Sequence, residues 1–301
     1  MNNNEKGKLL GAATAVTALT AGGYWIYQEM VGGKRPLPTP QNGSYALITG
    51  ASSGIGAEFA RQLAAAGFNL VLTARRKEKL ALLATELQAE FDITTKIIVA
   101  DLAKSEDVAQ LEEKIAELNL AILVNNAGFG TTGGLLTSDL SQQMAMLDVH
   151  ITAVMRLCRA SLRGMTKRGG GIIINVSSIS AFFPSPGDVN YPASKAYLNV
   201  FSQALQAEVL ESGIIVQALC PGFTVTEFHD TEIMTEFDRE KVPSALWMTA
   251  EDVVRTSLHS LNPDRVICIP GRHYQLMVAA TKSGPTSLIL KIARKFRQRV
   301  R

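Results

Sequence analysis

The chain has 301 residues, of which 47% are hydrophobic and 19% are charged, a composition typical of a globular protein and not of a disordered one. Its net charge of +3 is misleading, because six basic residues and no acidic residue occupy positions 291–301; without these six, 24 basic residues remain against 27 acidic ones. This balance argues against a basic nucleic-acid-binding domain. The three cysteines are widely spaced and lack a metal-ligand pattern, which indicates buried reduced thiols.

The first 30 residues are predicted to be a hydrophobic segment. Its central part, Leu9 to Tyr27, has no charged residue over 19 positions. As a helix it spans about 28 Å, close to the hydrocarbon core of a bilayer, and the aromatic residues at its far end favour a membrane anchor. Since the segment is rich in Ala, Thr and Gly, a cleaved signal peptide and a helix packed on the domain are alternatives.

Residues 31–43 indicate a proline-rich linker. From residue 44 to residue 272, apolar runs of strand length alternate with amphipathic patterns, as in parallel sheets covered on both faces. The alternation predicts an α/β fold, a single Rossmann-type doubly wound parallel sheet of about seven strands, preceded by the N-terminal hydrophobic helix. Strands are predicted at 45–49, 69–74, 96–100, 121–125, 171–177, 214–219 and 266–269, and helices at 54–66, 77–90, 105–118, 142–167, 191–212 and 250–260.

A glycine-rich turn, Thr49-Gly50-Ala51-Ser52-Ser53-Gly54-Ile55-Gly56, follows the first predicted strand and opens the first helix. Glycines let the backbone approach a pyrophosphate, and the helix start offers free N–H groups. A glycine turn alone is as often a tight loop, but this context favours dinucleotide binding. The predicted cofactor contacts here are Gly50, Ser52, Ser53, Gly54, Ile55 and Gly56.

The second strand ends in Thr73-Ala74-Arg75-Arg76, where an NAD-selective protein usually carries an acid for the ribose hydroxyls. Guanidinium groups suit the 2′-phosphate of NADP instead. The pattern therefore predicts NADP(H), with Arg75 as the main contact. The alternative is that both arginines are solvated residues that begin a helix.

Tyr191 and Lys195 lie four positions apart, which places both on one face of a helix. A neighbouring ammonium group can lower the pKa of a phenol from its reference of about 10. Hydride transfer from nicotinamide to a carbonyl carbon develops negative charge on the oxygen, so the site needs a proton donor there. We expect Tyr191 to be this general acid/base and Lys195 to support it, although either residue alone could lie at the surface.

Further motifs are Asn125-Asn126-Ala127-Gly128 after the fourth strand, Ser178 thirteen positions before Tyr191, and Pro221-Gly222 with Thr226 after the sixth strand. With the glycine turn and the Tyr191 and Lys195 pair, they resemble the short-chain dehydrogenase/reductase family over roughly residues 44–272. The resemblance implies that Ser178 hydrogen-bonds the substrate oxygen and that Lys195 binds the nicotinamide ribose. It also implies cofactor contacts for Asp101 and Leu102 (adenine), Asn125 (cleft), and Pro221, Gly222 and Thr226 (carboxamide).

One residue departs from the family pattern. Members with a catalytic tetrad carry an asparagine where this chain has His150. An imidazole can donate and accept hydrogen bonds, so it could hold a water that links Lys195 to solvent. The alternative is a packed core histidine. The long helices that carry His150 and Tyr191 commonly form the dimer interface in this family, which implies a homodimer or homotetramer.

Two segments bear on the substrate and on location. Residues 223–248, called the lid below, contain Phe228, Met234, Phe237, Trp247 and Met248, which indicate a lipophilic substrate or else pack the lid on its own domain. Residues 273–301 form a tail in which apolar residues recur at helical spacing among basic ones. This pattern predicts a basic amphipathic helix that rests on an anionic membrane, binds a partner or frays.

Together these patterns predict an NADP-dependent enzyme that transfers hydride between nicotinamide and a carbonyl or secondary alcohol of a small lipophilic substrate. We expect it to be membrane-associated, with its catalytic domain in the cytoplasm, and to bind neither nucleic acid nor a metal. One alternative is a soluble NAD(P)-dependent alcohol dehydrogenase. The other is a non-catalytic cofactor-binding sensor or scaffold with the same fold.

Overall fold

The computed structural model describes residues 37–41, 43–131, 133–184, 187–230 and 238–283. Within them, seven strands form one parallel sheet in the order β3-β2-β1-β4-β5-β6-β7. The strands are β1 Tyr45–Thr49, β2 Asn69–Ala74, β3 Thr95–Val99, β4 Leu120–Asn125, β5 Gly171–Val176, β6 Ile214–Leu219 and β7 Ile267–Cys268. The helices are α1 Gly54–Ala65, α2 Lys77–Glu90, α3 Ser105–Ala116, α4 Leu140–Leu147, α5 Ala153–Arg168, α6 Asn190–Glu208, α7 Ala250–His259 and α8 Arg272–Ser283.

Helices cover both faces of the sheet, which confirms the predicted doubly wound fold. Successive side chains of a strand point to opposite faces, so in β1 Ile48 packs with α1, α2 and α7, whereas Leu47 packs with α3, α5 and α6. The inner strands are buried on both faces and are therefore continuous apolar runs, whereas the edge strand β3 exposes Ile97 and Val99. The apolar runs located all seven strands.

The helix predicted at 142–167 differs from the one observed. It is α4 and α5 joined by a π-helical turn, Asp148–Thr152. A π-helical turn adds one residue to the helix, here at the point where His150 enters the interior. The side-chain contacts of His150, described below, hold the helix in this bulged form. The helix predicted at 191–212 likewise ends earlier, since α6 stops at Glu208 and a 3₁₀ turn, Leu210–Ser212, leads into Gly213 with φ of 69°.

The folded domain continues beyond residue 272, where the sequence pattern placed its end. Helix α8 buries Tyr274 and Val278 against Cys220 and Ile269. Only these two residues of α8 are fully buried among the residues described, so the sequence carries a weak periodic signal there. At the other end, Leu37 of the predicted linker packs against the main core.

No helix among the described residues is long and apolar enough to cross a membrane. The predicted hydrophobic segment, residues 1–30, and the basic part of the tail lie outside the described residues. The anchor and the amphipathic tail therefore remain predictions.

Candidate active site and cofactor cleft

The motifs found in the sequence meet at one edge of the sheet. The glycine turn follows β1, and the motif of residues 125–128 begins at the last residue of β4. Ser178 follows β5, and Pro221 follows β6. Because these strands are parallel, their carboxyl ends share an edge. The strand order reverses between β1 and β4, and such a switch point is where doubly wound folds bind ligands.

The glycine turn is fastened to the end of β4. Gly50 has φ of +65°, and a Cβ there would lie 2.9 Å from the Cα of Ala127. The Asn126 amide donates to the Thr49 carbonyl oxygen at 2.9 Å, and the Thr49 hydroxyl oxygen accepts from the backbone N–H of Asn126 at 2.9 Å. These contacts fix the conformation of the turn at the point where α1 begins, and the start of a helix is a site that suits a pyrophosphate. The sequence analysis had assigned no role to Asn126 or Thr49.

Asn125 directs its side chain into the interior. Its amide donates to Asn175 Oδ1 at 2.8 Å, and Asn175 donates to Ser202 Oγ at 3.0 Å. Register pairs Asn125 with Asn175 on the neighbouring strand. The side chain of Asn125 is thus engaged inside the protein, and the cofactor contact that the resemblance implies for Asn125 remains a prediction.

The cation that reaches the glycine turn is Arg76. Its Nη2 donates to Ser52 Oγ at 2.8 Å and to Ser53 Oγ at 2.6 Å. Arg75, the predicted main contact, is exposed and makes no side-chain hydrogen bond to a described residue. At the end of a strand, the side chains of neighbouring residues point in different directions. For this reason the sequence alone could not show which of the two arginines reaches the glycine turn.

The other positions named by the resemblance lie around this edge. Thr226 lies against the glycine turn, since a Cβ on Gly54 would come within 3.0 Å of it. Pro221 accepts a backbone hydrogen bond from Ile179 at 2.9 Å. The Asp101 carboxylate accepts from the Ala103 N–H at 3.2 Å, so it shapes the turn after β3, and Leu102 is buried in the core layer of α3.

Ser178 and Tyr191 lie close together, and a side-chain interaction with Ser178 lowers the pKa of Tyr191. Ser178 lies two residues after the end of β5. Its hydroxyl oxygen accepts from the Ser180 N–H at 3.1 Å, which fixes the rotamer of Ser178. Burial raises the pKa of Tyr191 above its ordinary value, the interaction with Ser178 offsets part of this, and Asp188 adds to it. The phenol is therefore protonated at neutral pH.

Lys195 lies one turn further along α6 and is buried, with 4% of its surface exposed. Its Nζ donates to the Val176 carbonyl oxygen at 3.0 Å and lies 5.6 Å from the centroid of the Tyr191 ring. Burial lowers the pKa of Lys195 to about 8. Burial dominates the pKa of Tyr191, which is raised, and the support of the phenol by the Lys195 ammonium remains a prediction.

His150 is fully buried and both of its ring nitrogens are engaged by the protein. Nε2 accepts from the Phe129 N–H at 3.3 Å, so the proton lies on Nδ1, which donates to Ser194 Oγ at 2.9 Å. Ser194 in turn donates to the Tyr191 carbonyl oxygen at 2.8 Å. Burial and the nearby Lys195 hold the pKa of His150 well below its ordinary value, so the ring is neutral.

These contacts favour one of the two interpretations of His150. Both ring nitrogens already have partners in the protein, which favours a packing role, and the relay role remains a prediction. A Cβ on Gly128 would lie 2.7 Å from His150 Nε2, which explains the glycine there. His150 thus links the loop after β4 to the helix that carries Tyr191.

A second polar link to α6 was not predicted from the sequence. The buried Gln143 of α4 donates to Thr131 Oγ1 at 2.7 Å and accepts from Asn190 Nδ2 at 3.0 Å. Asn190 directly precedes Tyr191. In the sequence Gln143 is one more polar residue of an amphipathic helix, so no pattern could have distinguished it.

The base of the lid is held by Tyr274 of α8. The Tyr274 hydroxyl accepts from the Phe223 N–H at 2.9 Å and donates to the Leu246 carbonyl oxygen. The two ends of the lid also pair with each other, since the Met248 N–H donates to the Phe223 carbonyl oxygen at 2.9 Å. The Tyr274 ring lies directly against Gly222, where any side chain would collide with it.

A doubly wound sheet with a glycine turn at its switch point and a Ser, Tyr and Lys group at the adjacent strand ends defines a class of nicotinamide-dependent oxidoreductases. The family model for short chain dehydrogenase matches residues 44–236. The chain belongs to the short-chain dehydrogenase/reductase family, as the sequence motifs indicated.

Known proteins resemble the chain over most of its length. It is 30% identical to the very-long-chain 3-oxoacyl-CoA reductase of Anas platyrhynchos over 97% of this chain and 93% of that protein. A solved short-chain dehydrogenase from Sphingobium yanoikuyae in complex with NADPH is 33% identical, with a TM-score of 0.73 over 82% of this chain and 94% of that one. The human inactive hydroxysteroid dehydrogenase-like protein 1 is 35% identical over 62% of this chain and 57% of its own length.

Proposed function

We propose that the chain is an NADPH-dependent reductase that delivers a hydride to the carbonyl carbon of a lipophilic substrate, with Tyr191 as the proton donor. The observation that carries the proposal is the grouping of Tyr191 with the buried Lys195, whose Nζ lies 5.6 Å from the centroid of the Tyr191 ring, beside Ser178, which lowers the pKa of Tyr191. These three side chains lie at the same sheet edge as the glycine turn.

The residues present fit a dinucleotide. The glycine turn packs closely on the end of β4, and α1 begins directly behind it; the start of a helix suits a pyrophosphate. When bound, the nicotinamide supplies the hydride. Arg76 with the Ser52 and Ser53 hydroxyls offers donors to a phosphate beside the ribose, and NADPH is the cofactor named for the Sphingobium protein. The prediction of Arg75 as the main contact with the 2′-phosphate stays a prediction.

The protein groups then have distinct tasks. The Ser178 hydroxyl and the Tyr191 phenol both donate to the substrate oxygen as it gains negative charge, and Tyr191 gives up its proton. The Lys195 ammonium stabilises the phenolate that remains. The raised pKa of Tyr191 keeps the phenol protonated at neutral pH, which is the form that a proton donor requires.

Apolar side chains around Tyr191 support a lipophilic substrate. The Phe228 ring lies 6.1 Å from the Tyr191 ring, and the Phe223 and Trp247 rings lie 5.4 Å apart at the base of the lid. The relative from Anas platyrhynchos is named for very-long-chain 3-oxoacyl thioesters. We therefore propose long-chain 3-oxoacyl thioesters and ring ketones as the substrate classes.

The test is NADPH consumption by the full-length chain with a panel of such carbonyl compounds, beside the Tyr191→Phe variant. We expect turnover with at least one lipophilic carbonyl, and a loss of about 10²-fold or more in the variant, the usual contribution of general acid catalysis. The affinity for NADPH should stay within twofold. A Tyr191→Phe enzyme that works at the parental rate refutes the assignment of Tyr191.

A non-catalytic cofactor binder is the second candidate, because the human relative named above is called inactive. The same assay separates the two functions. Tight NADPH binding without oxidation of NADPH by any carbonyl in the panel favours the sensor or scaffold.

We also propose a homodimer built on α5 and α6. Both helices expose apolar side chains, namely Met155, Tyr197 and Val200, of which Val200 is 67% exposed. Exposed apolar residues on adjacent long helices are typical of an interface. Sedimentation velocity of the domain measures its oligomeric state directly.

A further inference from the structure

Two cations at the start of α2 bind one carboxylate of the lid. Glu227 Oε2 lies 2.8 Å from Arg76 Nη1, and Glu227 Oε1 lies 2.7 Å from Lys79 Nζ. Glu227 begins a short 3₁₀ turn, Glu227–Asp230, directly after Thr226. We call this three-residue contact the Glu227 bridge. It joins the cofactor side of the cleft to the first turn of the lid.

The bridge occupies a site suited to an anion. Arg76 also donates to the hydroxyls of Ser52 and Ser53 on the glycine turn, so two cations and two hydroxyl groups converge there. Guanidinium and ammonium groups bind phosphate oxygens as readily as carboxylate oxygens. The hydrogen bonds from Lys79 and Arg76 lower the pKa of Glu227 to about 2, so the carboxylate is charged at every working pH.

We propose that Glu227 is an internal competitor for the phosphate-binding cations Arg76 and Lys79, and that a 2′-phosphorylated cofactor displaces it. This inference rests on the NADPH preference proposed above and adds the residue that tunes it. A cofactor without a 2′-phosphate has no group that can take over both cations, so it leaves the bridge in place.

Displacement of Glu227 changes the neighbourhood of Tyr191. Phe228 follows Glu227 directly, its N–H donates to Thr226 Oγ1 at 3.3 Å, and its ring lies 6.1 Å from the Tyr191 ring. Release of the bridge therefore frees the turn that places Phe228 beside the phenol. The Glu227 carboxylate thus couples the binding of a phosphate at Arg76 and Lys79 to the position of the turn Glu227–Asp230.

The expected effect is modest. The side chains of Arg76 and Lys79 are 44% exposed and that of Glu227 is 50% exposed, and ion pairs this exposed are weak because water and salt screen them. Removing the competitor should strengthen the binding of a 2′-phosphate by about three- to tenfold.

The test compares dissociation constants of full-length wild type, Glu227→Gln and Glu86→Gln by calorimetry. Glu86→Gln is the matched control, because it removes the same charge from another exposed ion pair on α2, that with Arg61. The probes are 2′,5′-ADP, 5′-AMP, NADPH and NADH. We expect Glu227→Gln to tighten 2′,5′-ADP and NADPH by about three- to tenfold and to leave 5′-AMP and NADH within twofold, while the control changes none of them.

A second readout follows the lid. Hydrogen exchange in peptides that cover residues 223–230 should rise when 2′,5′-ADP is added to wild type and should not rise with 5′-AMP. In Glu227→Gln the exchange should already be high and should gain nothing from 2′,5′-ADP.

The outcomes separate this inference from the proposed function. If wild type binds 2′,5′-ADP no more tightly than 5′-AMP, and Arg76→Ala changes neither, the NADPH preference is wrong and the bridge has no competitor role. If wild type prefers 2′,5′-ADP and Arg76→Ala abolishes that preference, but Glu227→Gln matches wild type, the preference stands and the role of Glu227 is refuted.

Discussion

Lys195 gives the active site a pH dependence of its own. Burial holds its pKa at about 8, below the ordinary value of 10.5, so its ammonium form is lost as the pH rises through about 8. We expect kcat/KM for carbonyl reduction, measured at limiting NADPH, to fall across this range, because this parameter reports the free enzyme. A wild-type profile that stays flat to pH 10 contradicts this role for Lys195, and Lys195→Met should be slow at every pH.

The lowered pKa of Lys195 also makes the free energy of unfolding depend on pH. Between pH 8 and 10.5 the unfolded chain binds more protons at this lysine than the folded chain does. Its contribution to the free energy of unfolding therefore rises with pH in that window and is constant below it.

His150 should act through position and not through proton transfer. His150→Leu leaves the Phe129 N–H and the Ser194 hydroxyl without their buried partner, so we expect the free energy of unfolding to fall by about 2–4 kcal/mol and kcat to fall with it. His150→Asn keeps a donor and an acceptor and should retain most of the activity. Chemical denaturation and steady-state kinetics measure both effects.

The alternative role of His150 has a distinct signature. If the ring holds a relay water, His150→Leu should alter the alkaline limb of the pH profile as well as the rate. A lower rate with an unchanged profile supports the packing role.

At the scale of elements, α8 controls the lid through the Tyr274 hydroxyl. Tyr274→Phe leaves the Phe223 N–H at the base of the lid without its partner, a change that costs about 1–3 kcal/mol when the group stays buried. We expect KM for a bulky carbonyl to rise by several-fold with a smaller effect on kcat. Tyr45→Phe, at the start of β1, is the matched control. Equal kinetics of the two variants contradict a lid role for α8.

The elements also show where sequence patterns succeed and where they stop. All seven strands were predicted to within two residues, because burial on both faces makes the inner strands apolar runs and the partly exposed edge strand β3 also contains an Ile-Ile-Val run. The break at Asp148–Thr152 was missed since the helical pattern continues across it, and the bulge depends on contacts of His150 with residues distant in the chain. The contact of Arg76 with the glycine turn and the buried links of Gln143 are likewise tertiary, so no local spacing encodes them.

At the scale of the whole molecule, the main untested prediction is the membrane anchor at residues 9–27. We expect full-length protein to pellet with membranes after high-salt and carbonate washes, because the segment is long enough to cross a thin bilayer. A shortened chain that begins at Leu37 should be soluble and active, since Leu37 already packs on the domain. Uncleaved full-length protein in the soluble fraction argues for a helix docked on the domain instead.

The order of the strands has a consequence for synthesis on the ribosome. β1 pairs with β2 through Leu47 and Val71, but its other edge pairs with β4 through Leu47 and Leu123. At translation rates of about 5–20 residues per second, the roughly 75 residues between these partners take about 4–15 s to emerge. During that interval β1, an inner strand of the future sheet, presents an edge of unpaired backbone N–H and C=O groups. Nascent chains of this protein should therefore depend on chaperones, and slow codons between β2 and β4 should increase aggregation.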